Sequence, residues 1–217
     1  MSINQLISLY PSLSFQDRLT ISMRMAFCIK PITRVLEEYI PDEGLIIDLG
    51  CGYGILSHLL SLSHPARNLI GVDMASKRIE IARSSEVNNR NAMFFASDIR
   101  NFDIPSCKAI LIVDVLYMLP YNDQEKLLTS CYGKIGNNGL MIIKDTCKKP
   151  YWKYAYTRIE ESIKIGLRLY GKEAGGKLYY RGAQDFKELL NRIGFRTEVL
   201  PLKTWLPYPG VFFVCHK

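Results

Sequence analysis

The feature that most narrows the fold is an alternation. Short apolar runs of strand length, Leu45–Leu49, Asn68–Asp73, Ala92–Ala96, Ala109–Val113 and Leu140–Lys144, are separated by stretches with helical periodicity. A brief apolar run suits a strand buried on both faces, and strands alternating with helices at this spacing predict a parallel, doubly wound α/β sheet. The helices are read over Ile55–Leu62, Ala75–Asn88 and Asp123–Ile135, the last stopped by Gly136 and Gly139. The tail breaks the alternation. A helix over Asp185–Arg192 is followed by strands Phe195–Leu200 and Val211–Cys215, which predicts an antiparallel pair at one edge. Residues 1–40 read as a helical extension, with Ser14 as a cap and Pro31 restarting the helix. With 217 residues and no repeat or low-complexity stretch, the expectation is one domain over 1–217.

Composition removes several classes. Charged residues are 23% and hydrophobic ones 48%, as in globular chains. The N-terminus lacks a basic start with a long apolar run, so no secretory leader is expected. The most apolar stretch, Ala109–Leu119, is broken by Asp114 and is too short to span a bilayer. The six cysteines form no C-x-x-C pair and no zinc-finger spacing with His58, His64 or His216. They read as reduced thiols of a cytoplasmic protein, and no metal is expected.

Each of the first four runs has an aspartate at or near its end: Asp48, Asp73, Asp98 and Asp114. After the first comes the turn Gly50-Cys51-Gly52-Tyr53-Gly54, then a helix. Glycines let the backbone turn tightly and approach a ligand, and the helix N-terminus offers free N–H groups. Doubly wound sheets bind ligands at this end of their strands. A carboxylate at Asp73 can accept hydrogen bonds from both hydroxyls of a ribose, in nicotinamide dinucleotide enzymes as in others. A dinucleotide fingerprint needs a third glycine where Ile55 stands.

With G-x-G-x-G after Asp48, and Asp73, Asp98 and Asp114 in order at strand ends, residues 40–146 resemble the class I S-adenosylmethionine (SAM)-dependent methyltransferases. The resemblance implies a Rossmann-like, seven-stranded sheet in the order 3-2-1-4-5-7-6 with strand 7 antiparallel. It implies SAM as cofactor and S-adenosylhomocysteine as product. It places Asp48, Gly50, Cys51, Gly52, Gly54, Asp73, Met74, Asp98, Ile99 and Asp114 at the cofactor. There Asp98 accepts from the adenine amino group, and Met74 and Ile99 pack on the adenine faces. Asp114 would face the meeting point of donor and acceptor.

Methyl transfer from a sulfonium is an in-line displacement that needs positioning and exclusion of water, with a base only where the acceptor must lose a proton. Asp114 and Tyr117 are the candidate catalytic residues, Tyr117 chiefly as a pocket wall. His58 and His64 read as ordinary helix-surface or helix-end residues. The strand-4 end, Asp114-Val115-Leu116-Tyr117, lacks the D/N-P-P-Y/F pattern of exocyclic-amine methylation, and Pro105-Ser106-Cys107 lacks a Pro-Cys pair. These absences disfavour nucleic acid as acceptor.

The net charge of +7 is concentrated. Between Lys148 and Arg181 stand nine cations and three acids, interleaved with seven aromatics. Trp152, Tyr156, Ile159, Ile163, Leu167 and Tyr170 recur at helical spacing. Residues 148–182 read either as a lid or substrate-binding insertion, with Trp152, Tyr156, Tyr180 and Arg181 meeting the acceptor, or as a packed helix with a solvated basic face. The leading expectation is methylation of a small-molecule or carrier-bound, lipid or polyketide-like, anionic acceptor. The alternatives are an RNA or protein methyltransferase that uses the basic segment, and a SAM-binding partner protein without catalysis. A membrane surface also suits a basic amphipathic helix.

Overall fold

The computed structural model describes residues 8–11, 13–14, 18, 21–22, 29–85, 91–146, 159, 178–202 and 210–217. The strands are β1 (Gly44–Leu49), β2 (Arg67–Asp73), β3 (Ala92–Ala96), β4 (Cys107–Val113), β5 (Ile135–Thr146), β6 (Arg196–Pro201) and β7 (Gly210–His216). The helices that frame them are α1 (Lys30–Tyr39), α2 (Ile55–Ser63), α3 (Ser76–Arg83), α4 (Tyr121–Lys134) and α5 (Ala183–Ile193). The seven strands form one sheet in the order β3-β2-β1-β4-β5-β7-β6. The pairs β1–β2, β2–β3 and β4–β5 are parallel, and β7 runs antiparallel to both β5 and β6. This is the expected order. Residues Met1–Phe102 and Asp103–Lys217 each form a compact unit.

In the first unit, Ile46, Ile47 and Leu49 of β1 have no solvent exposure. Helix α1 begins with Pro31 in its first turn, where a missing N–H costs nothing, and buries Ile32, Leu36 and Ile40 along one stripe. Its far end is locked by Arg67, whose side chain is wholly buried. Arg67 Nε donates to Pro41 O at 2.8 Å, while Nη1 reaches Glu37 Oε2 at 2.7 Å and Leu60 O at 3.2 Å. Nη2 reaches Ile40 O at 3.3 Å. One guanidinium thus collects carbonyls left open at the ends of two helices, α1 and α2, where a cation also meets their negative dipole ends. The Asp42 carboxylate at 3.3 Å is 75% exposed and adds little.

In the second unit, Ala109–Ile112 of β4 and Met141–Ile143 of β5 are fully buried. Helix α5 buries Phe186, Leu189 and Leu190, with the Phe186 ring set edge-on to Phe213 of β7 at 4.8 Å. The sequence reading started β5 at Leu140 and ended its helix at Ile135. The strand instead begins at Ile135, directly after α4. Its ladder to β4 slips between Cys107↔Ile135 and Ala109↔Leu140, and Asn138 takes a left-handed φ of 60°. The intervening residues bulge out, and regular pairing resumes at Leu140.

Much of the expected N-terminal extension lies outside the described residues. So do the last residues of the helix read over Ala75–Asn88 and all but Ile159 and Leu178–Gly182 of the 148–182 insertion. Among the described residues no helix is long and apolar enough to cross a membrane, and Cys51, Cys107, Cys131 and Cys215 are free thiols.

Arg67→Lys cannot reproduce the five-donor fork. Urea denaturation is expected to show a loss of about 3 kcal/mol, whereas Asp42→Asn should stay within about 0.5 kcal/mol of the wild type.

Candidate functional site

The turn after β1 is built so that its underside is full and its outer side is open. Gly50 N–H and Cys51 N–H both donate to Val72 O, at 2.7 and 3.1 Å, which swings the chain off the sheet. Gly50, Gly52 and Gly54 then take φ of 86°, 56° and 70°. A side-chain-bearing residue would spend roughly 1–2 kcal/mol at each. A Cβ on Gly54 would lie 2.5 Å from the Phe94 ring, and one on Gly71 would lie 2.6 Å from Phe94 and 2.8 Å from Cys51 Sγ. Phe94 and the Cys51 thiol therefore fill the floor. A Cβ on Gly52 would meet nothing within 4 Å.

Asp73 ties the turn to β2. Its Oδ2 accepts Gly52 N–H and its Oδ1 accepts Ala75 N–H, each at 2.9 Å. Each oxygen keeps a further lone pair, and the residue is half-buried. Asp73 pairs with Ala96 across the β2–β3 ladder, and Ser97 N–H donates to Asp73 O at 3.0 Å. The ends of β1, β2 and β3 thus bring Gly52, Asp73 and the Ser97-Asp98-Ile99 turn to one edge of the sheet. Met74 is 40% exposed beside Asp73, and Ile99 is buried.

Two of the acids differ from their expected setting. Asp48 lies beneath the turn, 2% exposed, and accepts Ser57 Oγ–H at 2.6 Å. Burial lifts its carboxyl to about 6 against the lowering effect of Ser57, with the Asp73 charge adding to the rise. Its contact is with the first turn of α2, so it acts on the glycine turn from below. Asp98 already holds a partner: Arg100 donates to it through the guanidinium and through its backbone N–H at 2.9 Å. That neighbour keeps Asp98 below the usual carboxylate range.

The expected helix-surface histidine, His58, is instead buried, its ring 4.9 Å from Phe94 and 5.8 Å from Tyr10. It is a floor residue, and burial lowers its pKa. His64 stands at the end of α2, within 3.7 Å of Glu37 and 3.5 Å of Asp42.

In the second unit, Asp114 follows β4 with a left-handed φ of 56°. Its N–H donates to Lys144 O at 2.9 Å, and Lys144 Nζ donates to both carboxylate oxygens at 2.6 and 2.7 Å. The Lys144 side chain is only 7% exposed. Asp114, expected as a base, is thus committed to a buried cation. Asp145 next to Lys144 is pushed up to about 7, first by burial; the Asp114 charge also raises it, while Thr146 N–H and Lys144 oppose.

Tyr117 is buried and stacked on Tyr180 at 4.9 Å. Arg181, expected to meet an acceptor, has structural partners instead. Its Nε donates to Gln124 Oε1 at 2.8 Å, and its guanidinium lies 4.7 Å over the Tyr121 ring. The Gln124 amide nitrogen sits 2.9–3.0 Å from the carbonyls of Leu116, Leu119 and Tyr179. Together they fasten the strand of chain at Tyr179–Arg181 to α4. Trp152 and Tyr156 lie outside the described residues.

The comparison with known proteins decides the family. The methyltransferase domain family matches residues 21–199, most of the chain. The chain belongs to the class I SAM-dependent methyltransferases. Among curated relatives, malonyl-[acyl-carrier protein] O-methyltransferase of Bacillus anthracis is 23% identical over 58% of this chain and 49% of its own length. Carboxy-S-adenosyl-L-methionine synthase of Haemophilus ducreyi is 27% identical over 54% and 50%. The tRNA N(3)-methylcytidine methyltransferase of Drosophila melanogaster is 25% identical over 71% and 50%. The chain spans about half the length of these relatives. Among solved structures, magnesium protoporphyrin IX methyltransferase of Synechocystis with bound S-adenosylhomocysteine superposes with a TM-score of 0.69 at 17% identity, covering 99% of this chain and 93% of that one.

SAM is the cofactor of this methyltransferase, and the first unit's residues fit it. The open side of Gly52 leaves room for close approach, and Asp73 keeps lone pairs for a diol. Reading the methyltransferase's sequence missed Arg100, Lys144, Asp145 and Gln124. Only Lys144 and Asp145 carried a signal, as charged residues closing an otherwise apolar strand.

The raised carboxyls set a pH dependence. Between about pH 4 and 7 the folded chain holds protons on Asp48 and Asp145 that the unfolded chain has released, so their contribution to stability falls as pH rises. Urea denaturation of the wild type and Asp145→Asn between about pH 5 and pH 8 is expected to show the wild type losing ground to the variant as pH rises.

Proposed function

We propose that this methyltransferase delivers the SAM methyl group to a small-molecule or carrier-bound anionic acceptor, with the glycine turn and Asp73 as the cofactor's seat. The observation that carries the seat is the pairing of an open Gly52 with an Asp73 carboxylate already oriented by two backbone N–H groups. In this reading the turn Gly50–Gly54 lies along the cofactor, and Asp73 accepts from the ribose hydroxyls. Met74 and Ile99 cover the adenine, and Asp98 accepts from its amino group while still held by Arg100. Bound SAM supplies an electrophilic methyl on a sulfonium. The chain's own task is to hold the acceptor in line and keep water away.

Asp114 serves as a fixed partner of Lys144 rather than a free base, and Tyr117 stacked on Tyr180 serves as a wall. The anionic acceptor is supported by the nine cations between Lys148 and Arg181 and by the carrier-protein substrate in the Bacillus relative's name. The Drosophila relative's name keeps tRNA as the second reading.

Calorimetry with SAM tests the seat: Asp73→Ala is expected to weaken binding by about tenfold or more, and unchanged affinity would contradict it. Radiolabelled SAM with a fractionated cell extract tests the acceptor. Label in a nuclease-resistant metabolite or carrier fraction is expected; label in a nuclease-sensitive fraction would move the function to RNA. Neutralising Lys148, Lys149 and Lys153 to Gln should reduce label transfer and leave SAM affinity within about twofold.

A further inference from the structure

The turn that carries Asp98 has a fixed backbone. Ser97 N–H donates to Asp73 O, and Asp98 O accepts the N–H groups of Asn101 and Phe102, each at 3.0 Å. Ile99 between them is buried. What this leaves loose is the Asp98 side chain, which is 24% exposed. A carboxylate so placed can rotate, and it can take up a proton. Either change alters what it offers a purine: ionised, it only accepts hydrogen bonds; protonated, it also donates one.

Arg100 removes both freedoms. Its backbone N–H donates to Asp98 Oδ1 at 2.9 Å. Its Nε lies 3.0 Å from Oδ1 and 2.9 Å from Oδ2, and its Nη2 donates to Oδ2. The guanidinium fork sets the plane of the carboxylate, and the backbone N–H ties that plane to the turn. The same neighbour holds Asp98 below the usual carboxylate range, so it stays ionised. Three hydrogens meet about four lone-pair sites, which leaves about one for a ligand. Arg100 is itself exposed, and an ion pair at such a place adds little to stability. Its effect falls on what Asp98 can bind. A fixed, ionised acceptor with one open site matches one N–H of an exocyclic amine. It opposes a carbonyl oxygen in the same place, because neither oxygen brings a hydrogen.

We propose that Arg100 is the positioning residue that makes Asp98 select an aminopurine over an oxopurine, and so select the adenosyl cofactor. This deepens the cofactor reading above and rests on Asp98 facing the purine's exocyclic group. Without Arg100 the carboxylate would have to be ordered at the moment of binding, and that ordering is charged against affinity.

The test is Arg100→Ala, a change at an exposed side chain that leaves the turn's backbone bonds in place. Calorimetry is run with S-adenosylhomocysteine and with S-inosylhomocysteine, which carries an oxo group where the other has the amine. The wild type is expected to prefer the adenosyl compound. The variant is expected to bind the adenosyl compound about fivefold more weakly and the inosyl compound within about twofold of the wild type, so that the preference shrinks. Arg100→Lys keeps a charge without the fork and should recover only part of the preference. An unchanged preference, equal weakening of both compounds, or tighter binding of the adenosyl compound overturns the assignment. The last result would mean that the guanidinium competes with the purine for Asp98. Asp98→Ala in the same titrations separates the two readings. If it loses the preference while Arg100→Ala keeps it, only the Arg100 assignment falls. If Asp98→Ala keeps the preference as well, Asp98 does not face the purine amine.

Discussion

The Asp73 carboxylate is the joint on which the first unit's working edge depends. One oxygen holds Gly52 N–H and the other holds Ala75 N–H, so a single side chain sets the glycine turn after β1 and the start of the chain after β2. Two backbone N–H groups fix the carboxylate's orientation, and each oxygen keeps a further lone pair. Beneath this joint the space is filled by Phe94, admitted by the missing side chains at Gly54 and Gly71. The turn can then rest on a solid floor while its outer face stays open at Gly52.

Four aspartates that look alike in sequence, each near the end of a strand, have four different partners. Asp48 takes Ser57 and is buried; Asp73 takes backbone N–H groups; Asp98 takes Arg100; Asp114 takes Lys144. Environment assigns the roles. The buried carboxylate is lifted to about 6, the one facing a guanidinium is lowered, and the one joined to a buried lysine is no longer available as a free base. Asp145, next to that lysine in sequence, is pushed up to about 7, chiefly by burial.

The sheet was legible because strand runs and helix periodicity differ in period, and β3 coincides with its reading at Ala92–Ala96. The glycine turn was legible because few sequences need three left-handed residues in five. Side-chain partners were not. Nothing in the spacing of Arg67 shows that it collects carbonyls from two helices, nor that Arg181 would be taken by Gln124 rather than by a ligand. The Arg67–Pro41 and Arg181–Gln124 bonds join residues 26 and 57 positions apart, and their geometry exists only after the chain has folded. The bulge before Leu140 was missed for a related reason: it is a property of a pair of strands, and one strand's pattern does not carry it.

The central claim is that the cofactor lies along the turn at the ends of β1, β2 and β3. Backbone amide shifts followed through a titration with S-adenosylhomocysteine read that position directly. The largest changes are expected at Gly50, Gly52, Gly54, Asp73, Met74 and Ser97–Ile99. Saturable binding that leaves Gly52 and Asp73 undisturbed while other amides shift would contradict it.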